Sequence, residues 1–186
     1  MYSPQSPKIV MKRTDRIKRG ASETMEKIRN LTRHIRNVED NCLLLGTALI
    51  ECGEIDLGRQ LIANGYVHDA SKFYGIEFDY LAKLSNANMK EETAKLKMKM
   101  AVQHHQKTNP HHVEYWSNGI KDMPLVYIAE MVCDIKARSE EFGTSFKEWI
   151  DVEGLKRWGI IKNDNEYEKI MKYANILCGE PFQKIN

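Results

Sequence analysis

The chain has no apolar run long enough to cross a bilayer. Its longest, Cys42 to Ile50, is broken by Gly46 and Thr47 and falls far short of the about 20 residues a spanning helix needs. Residues 1–20 contain no apolar h-region, so no secretory signal is expected. Cysteine is scarce: Cys42, Cys52, Cys133 and Cys178 stand far apart with no C-x-x-C pair, which excludes a zinc ribbon or a dithiol motif and suggests reduced core residues. The net charge is only +2, too small for a whole-molecule field that would draw in nucleic acid. Nowhere do apolar and polar residues alternate with period two between turn signals, so little or no sheet is expected. Repeats and low-complexity blocks are also missing. These absences point to a cytoplasmic protein with no membrane association.

What is present is ordinary globular composition, 42% hydrophobic and 29% charged over 186 residues, enough for one domain with a sizeable core. The positive charge is concentrated at one end, where Lys8, Lys12, Arg13, Arg16, Lys18 and Arg19 face only Asp15. Residues 1–20 therefore read as a basic tail that could meet an acidic partner, and 21–186 as the folded domain.

The domain reads as all-α. Ser22 is a suitable N-cap, with Glu23 and Glu26 at the positive end of the helix dipole. From there Ile28, Leu31, Ile35, Val38, Cys42, Leu45 and Leu49 recur at spacings of three and four, the stripe of a long helix. Gly53 is placed to end it in the left-handed conformation. Further helices are expected over Leu57–Ala70, Phe78–Leu84 and Lys90–His105, before Asn109-Pro110 breaks the pattern. Pro124 suits the first turn of another helix, with Leu125, Ile128, Val132 and Ile135 on its buried side. Two shorter helices, Ser145–Trp158 and Asn165–Leu177, complete the bundle.

Histidine is the unusual residue. Four of the six crowd into His104-His105-Gln-Lys-Thr-Asn-Pro-His111-His112, and imidazole with carboxylate is the common ligand set for divalent cations. His34 lies at the edge of the long helix's apolar stripe, where it is either a satisfied core histidine or a ligand. His68-Asp69 can reach one ion together, and Asp134 follows on a third helix.

The order His34, His68-Asp69, Asp134 resembles the HD-domain superfamily of metal-dependent phosphohydrolases, which carry a histidine, a His-Asp doublet and a later aspartate on a helical bundle. The run from His68 to Lys72 is similar to the HD-x-x-K form found there. A second resemblance covers much of Gly65 to Trp149: a family frequent in phage and bacterial genomes with HD-x-SKF, H-x3-N-x-HH-x-x-YW, MP and EM-x-x-D motifs. Here these are His68 to Phe73; His105, Asn109, His111, His112, Tyr115 and Trp116; Met123-Pro124; and Glu130, Met131 and Asp134. The chain departs from the nucleotidase-like members in having Lys72 where a water-orienting carboxylate usually follows the doublet, and the next acids, Glu77 and Asp79, lie beyond Gly75. It also has histidines that a mononuclear site does not require.

The resemblance implies a single HD-like helical bundle holding one or two divalent ions (Mn, Fe, Co, Ni, Zn or Mg) on His34, His68, Asp69 and Asp134, with His105, His111 and His112 available for the second. The implied activity is hydrolysis of a nucleotide or related phosphate ester. Lys72, Glu77 and Glu130 are then the catalytic candidates, the two glutamates as base or as holders of a ligand. Lys72, Lys107 and Arg138 are candidates for the phosphate, and Tyr115 and Trp116 for stacking on a base. The alternatives are a diiron oxygenase built on the same ligands, and a non-catalytic module that uses the metal for stability or sequesters a nucleotide.

Overall fold

Helix α1 (Arg13–Glu51) is the spine on which the other elements are assembled. The computed structural model describes residues 13–81 and 92–180, and among them there are helices and turns but no strand. The expected apolar stripe is the inward face of α1: Val38, Cys42, Leu45 and Leu49 are fully buried and Leu31 nearly so. Gly53, at φ 94°, turns the chain out of the helix. The start differs from expectation. The helix continues upstream of Ser22 to Arg13, so Ser22 is an interior residue and not a cap, and part of the basic segment is helical. Residues 1–12, including Lys8 and Lys12, lie outside the described residues.

Helix α2 (Ile55–Val67) packs along α1 at unusually short range, because glycines meet. A Cβ added to Gly58 would lie 2.4 Å from the Gly46 carbonyl oxygen, and one on Gly65 would lie 2.8 Å from Cys42 Cβ. This contact sets α2 so that its end faces His34. A 3-10 turn (Ala70–Phe73) and α3 (Gly75–Leu81) follow, with Lys27 of α1 donating to the backbone carbonyl of Asp79 at 3.2 Å. Helix α4 (Glu92–Thr108) ends three residues later than expected, and His104 and His105 are within it, as expected. The expected starts and ends at Lys90 and Leu84 lie outside the described residues.

Helix α5 (Leu125–Phe142) begins directly after Pro124, as anticipated, and closes on Gly143 at φ 65°. It is the most buried element, packed between α1 and α8 (Asn165–Leu177). Asn41 of α1 donates to the Cys133 carbonyl at 3.2 Å and fixes the two helices' relative height. Between α5 and α8 the expected single helix is a winding of α6 (Phe146–Trp149), a wide π turn (Ile150–Gly154) and α7 (Leu155–Trp158). The wide turn lets the Trp158 ring lie over Gly154, where a Cβ would be 2.7 Å from it, and it directs Trp149 and Arg157 to the same side.

No helix among the described residues is long and apolar enough to cross a membrane. The glycine contact gives a direct test. Gly58→Ala adds a methyl group where backbone stands in the way, and overpacking of this kind costs about 1–3 kcal/mol, outweighing the gain in helix propensity. Urea unfolding followed by circular dichroism should show that loss; unchanged stability would mean the helices are not in close contact here.

Candidate metal centre

His68 and Asp69 reach the centre because the backbone breaks between them. Helix α2 stops at Val67, His68 is extended (ψ 134°), and Asp69 adopts the left-handed conformation at φ 56°, ψ 18°. Asp69 is the one non-glycine residue with positive φ among those described. Aspartate tolerates that region better than most residues, and such conformations are held where surrounding contacts over-determine them. The doublet thus leaves a helix end, not a helical turn. Its two side chains are carried to opposite parts of one buried cluster.

His34 Nε2 lies 3.1 Å from Asp134 Oδ1 and 3.4 Å from Asp69 Oδ2, and His68 Nε2 lies 3.6 Å from Asp69 Oδ2 and 3.8 Å from Asp134 Oδ1. On the other side of the same carboxylate, Asp69 Oδ1 is 3.1 Å from His105 Nε2 and 3.6 Å from His111 Nε2. The His112 ring stands 4.3 Å from that of His111 and 4.7 Å from that of His105, centroid to centroid. Two ligands on one ion, each at about 2.0–2.2 Å, cannot be more than about 4.4 Å apart, and the nitrogen–oxygen distances above satisfy this. His34, His68 and Asp134 form one set and His105, His111 and His112 another, with Asp69 between them.

Six of the cluster's atoms are buried without a hydrogen-bond partner: Nε2 of His34, His68, His111 and His112, and Oδ1 of Asp69 and Asp134. Buried polar atoms are rarely left so, and a group of them converging from four segments of the chain is what a cation would satisfy. The opposite ring nitrogens are all accounted for in four histidines. Nδ1 of His34 donates to Glu141 at 2.9 Å, that of His68 to Glu130 at 2.9 Å, and that of His105 to Glu77 at 2.8 Å. His111 Nδ1 lies 3.3 Å from the same Glu130 oxygen. Carboxylates behind imidazoles fix the ring orientation and leave Nε2 free to ligate. For this reason the third convergent group, His68, His111 and Glu130, is the support of the cluster; its nitrogens are already engaged.

Of the two roles expected for Glu77 and Glu130, base or holder of a ligand, the geometry fits the second. Both are buried, and their oxygens are committed to the rear of the rings: Glu77 also accepts from Ser71 at 2.7 Å and from the exposed His104 at 2.6 Å, and Glu130 from Asn64 at 2.9 Å. They hold ligands in place. Lys72 is buried and its ammonium meets Asp69 Oδ2. Arg138 is half-buried one turn beyond Asp134 and pairs with Glu141 at 3.0 Å. Both open onto a cavity of about 400 Å³, together with His105, His112, Asp134 and Arg157.

Three candidates are elsewhere. Lys107 is exposed on α4 and Tyr115 is exposed, and neither lines the cavity. Trp116 stacks 5.7 Å from Tyr127 and packs on the core, its Nε1 donating to the Pro110 carbonyl at 2.8 Å. It secures the turn that presents His111 and His112. Sequence reasoning missed Glu141 and Arg157. Glu141 was findable, since it stands two turns from Asp134 on the same helix face; Arg157 reaches the cavity only through the wide turn, for which there is no sequence signal.

Burial opposes charge on His34, but Asp134, Asp69 and Glu141 more than offset it and raise its pKa to about 10. His112 is pushed down to about 2 by burial and by His111 and His105. Burial alone would raise Glu130, yet His111 and His68 hold it down at about 2. Asp69 stays well below the usual carboxylate range despite its burial, chiefly because of Lys72 and His68, as does Asp134 because of His34. The buried cluster is thus rich in ionised carboxylate.

Residues 23–175 match the family model described as Family of unknown function (DUF5662), and the chain belongs to that family. The matched stretch contains every residue of the cluster. No curated protein and no solved structure matches the chain.

The charge states have a consequence for metal uptake. At pH 7 a cation entering the His34 set must displace the His34 proton, whereas His112 has none to lose, so affinity at the first set rises with pH until about 10. Sign and window agree for the metal-free fold: a histidine raised above its ordinary value stabilises the fold below about 6.5 and loses that contribution as pH climbs toward 10. Titration calorimetry with Mn²⁺ or Zn²⁺ at pH 7, in buffers of different ionisation heat, should show proton release that falls by about one in His34→Ala and is unchanged in His112→Ala. Heat independent of buffer would contradict the assignment.

Proposed function

Since family membership assigns no activity, we propose from the site itself that the chain is a metal-dependent phosphohydrolase acting on a nucleotide or related phosphate ester, with two divalent ions sharing Asp69. The observation that carries this reading is the convergence of partnerless buried ligand atoms on both sides of one carboxylate, at the floor of a cavity that also contains Lys72 and Arg138. A bound divalent cation lowers the pKa of water and polarises a phosphoryl oxygen. The residues around it supply the rest. Lys72, once Asp69 is engaged elsewhere, has its ammonium free to meet a phosphoryl oxygen. Arg138 offers planar donors one helical turn away, its angle fixed by Glu141. Glu141, Glu130 and Glu77 keep the imidazoles in register, which matters because small displacements at a reacting centre are costly.

One observation favours a second reading, a binding module without turnover. Among the described residues lining the cavity, Asp134 is the sole carboxylate, and it belongs to the ligand set, so no separate base faces the substrate. The diiron oxygenase built on the same ligands would be separated by its need for oxygen.

A screen of phosphate esters and nucleoside mono-, di- and triphosphates with each metal, reading phosphate release, tests the proposal. Asp69→Ala should abolish turnover and keep most of the helical signal. Lys72→Ala should lower rate or affinity by an intermediate amount. Glu130→Gln should weaken metal binding about 10- to 100-fold, the usual effect of losing a ligand's support. Tight nucleotide binding with no turnover under any metal would replace the hydrolase with the binding module; oxygen consumption by the ferrous protein would replace it with the oxygenase.

A further inference from the structure

The cavity beside the metal cluster changes character along its length. Asp134, Arg138 and Phe142 all line it, each four residues after the last on α5, so they mark one helix face at intervals of about 6 Å. The face runs from a ligand carboxylate, through a guanidinium, to an aromatic ring. Phe142 is 59% exposed, so much of its ring is uncovered where it lines the cavity. Trp149, which lines the same cavity, is half-buried with Trp158 against it at 6.0 Å, which leaves the Trp149 ring held in place as a wall.

We propose that this cavity seats a nucleoside 5′-monophosphate, with its phosphoryl group at Lys72 and Arg138 and its base against Phe142 and Trp149. The assignment rests on the phosphohydrolase reading for the position of the phosphoryl group and adds the recognition of the remainder. Three observations select this ligand. The cavity, at about 400 Å³, stands near the low end of the about 300–1,000 Å³ typical of ligand pockets, which suits one nucleotide and not a polymer. The ring wall begins about a helical turn beyond the guanidinium, which leaves room for a sugar between phosphate and ring and disfavours an aryl group joined directly to the ester oxygen. Positive charge along the cavity is limited: beside Lys72 and Arg138, which take the one phosphoryl group, only Arg157 among the described lining residues is cationic, and it is paired with Glu114 at 2.9 Å, so little remains to neutralise a chain of phosphates. Phe142 and Trp149 are the specificity-determining residues.

The test is equilibrium binding to the metal-loaded full chain by calorimetry, with hydrolysis-resistant probes. These are an adenosine monophosphate analogue with a methylene in place of the ester oxygen, its triphosphate counterpart, phenylphosphonate and methylphosphonate. Base stacking on an aromatic side chain predicts that the monophosphate analogue binds about 5- to 100-fold more tightly than methylphosphonate. Phe142→Ala, at an exposed position where folding is not at stake, should remove at least about half of that preference on a logarithmic scale and leave methylphosphonate affinity unchanged; Trp149→Leu should act in the same direction. The proposal is overturned if the monophosphate analogue binds no better than methylphosphonate or phenylphosphonate, if the triphosphate binds more tightly, or if Phe142→Ala leaves the preference intact. Its failure is distinct from that of the hydrolase: turnover of esters without regard to the ring sinks the ring wall alone, and ring-dependent binding without turnover sinks the hydrolase alone.

Discussion

The structure depends on one buried carboxylate that two groups of histidines face from opposite sides. Asp69 is almost wholly excluded from water, and an ionised carboxylate there is tolerable only if cations or donors surround it. Without bound metal that role falls to the Lys72 ammonium and to protonated His34. Several elements of the fold bring a group to this point. The glycine contacts between α1 and α2 set the separation of His34 and His68, the left-handed backbone at Asp69 turns its side chain inward, and Asn41 sets the height of α5 and hence of Asp134.

Behind the histidines stands a second tier that costs the protein further buried charge. Glu130 reaches one histidine of each group with the same oxygen, so the two sets cannot shift independently. Glu141 joins His34 to Arg138, which couples a ligand ring to the wall of the cavity. Glu77 joins His105 to the exposed His104 and to Ser71. A cluster with this excess of ionised carboxylate is under mutual repulsion unless positive charge enters, and divalent cations supply it in the smallest volume.

Much of this was legible in the chain, and where it was not the reasons are local. The α1 stripe, the stop at Gly53, the start of α5 after Pro124 and the whole of α8 follow from periodicity and caps, because in a bundle the buried face must recur every three or four residues. The three-part pattern of His34, His68-Asp69 and Asp134 was legible in residue type and order, although the doublet lies at a helix end and not within a helix. Ser22 misled because a residue that caps well in isolation is also tolerated inside a helix when the charged residues upstream favour continuation. For Glu77 and Glu130 the sequence left two roles open, base or holder of a ligand, since spacing cannot tell which side of an imidazole a carboxylate will occupy. Tyr115 and Trp116 looked like stacking residues, yet Trp116 is taken up by Pro110 and Tyr127. The aromatic side chains that line the cavity are instead Phe142, at the end of α5, and Trp149, at the end of α6, a juxtaposition made by packing with no residue signature.

The central claim is that Asp69 is shared by two cation sites. Elemental analysis of protein reconstituted with Mn²⁺, Fe²⁺ or Zn²⁺ and freed of excess metal tests it most directly, with His34→Ala and His112→Ala measured beside the unaltered chain. The account predicts two ions per chain, one lost in either histidine variant and both lost in Asp69→Ala. A stoichiometry of zero, or two ions retained when Asp69 is removed, would contradict it.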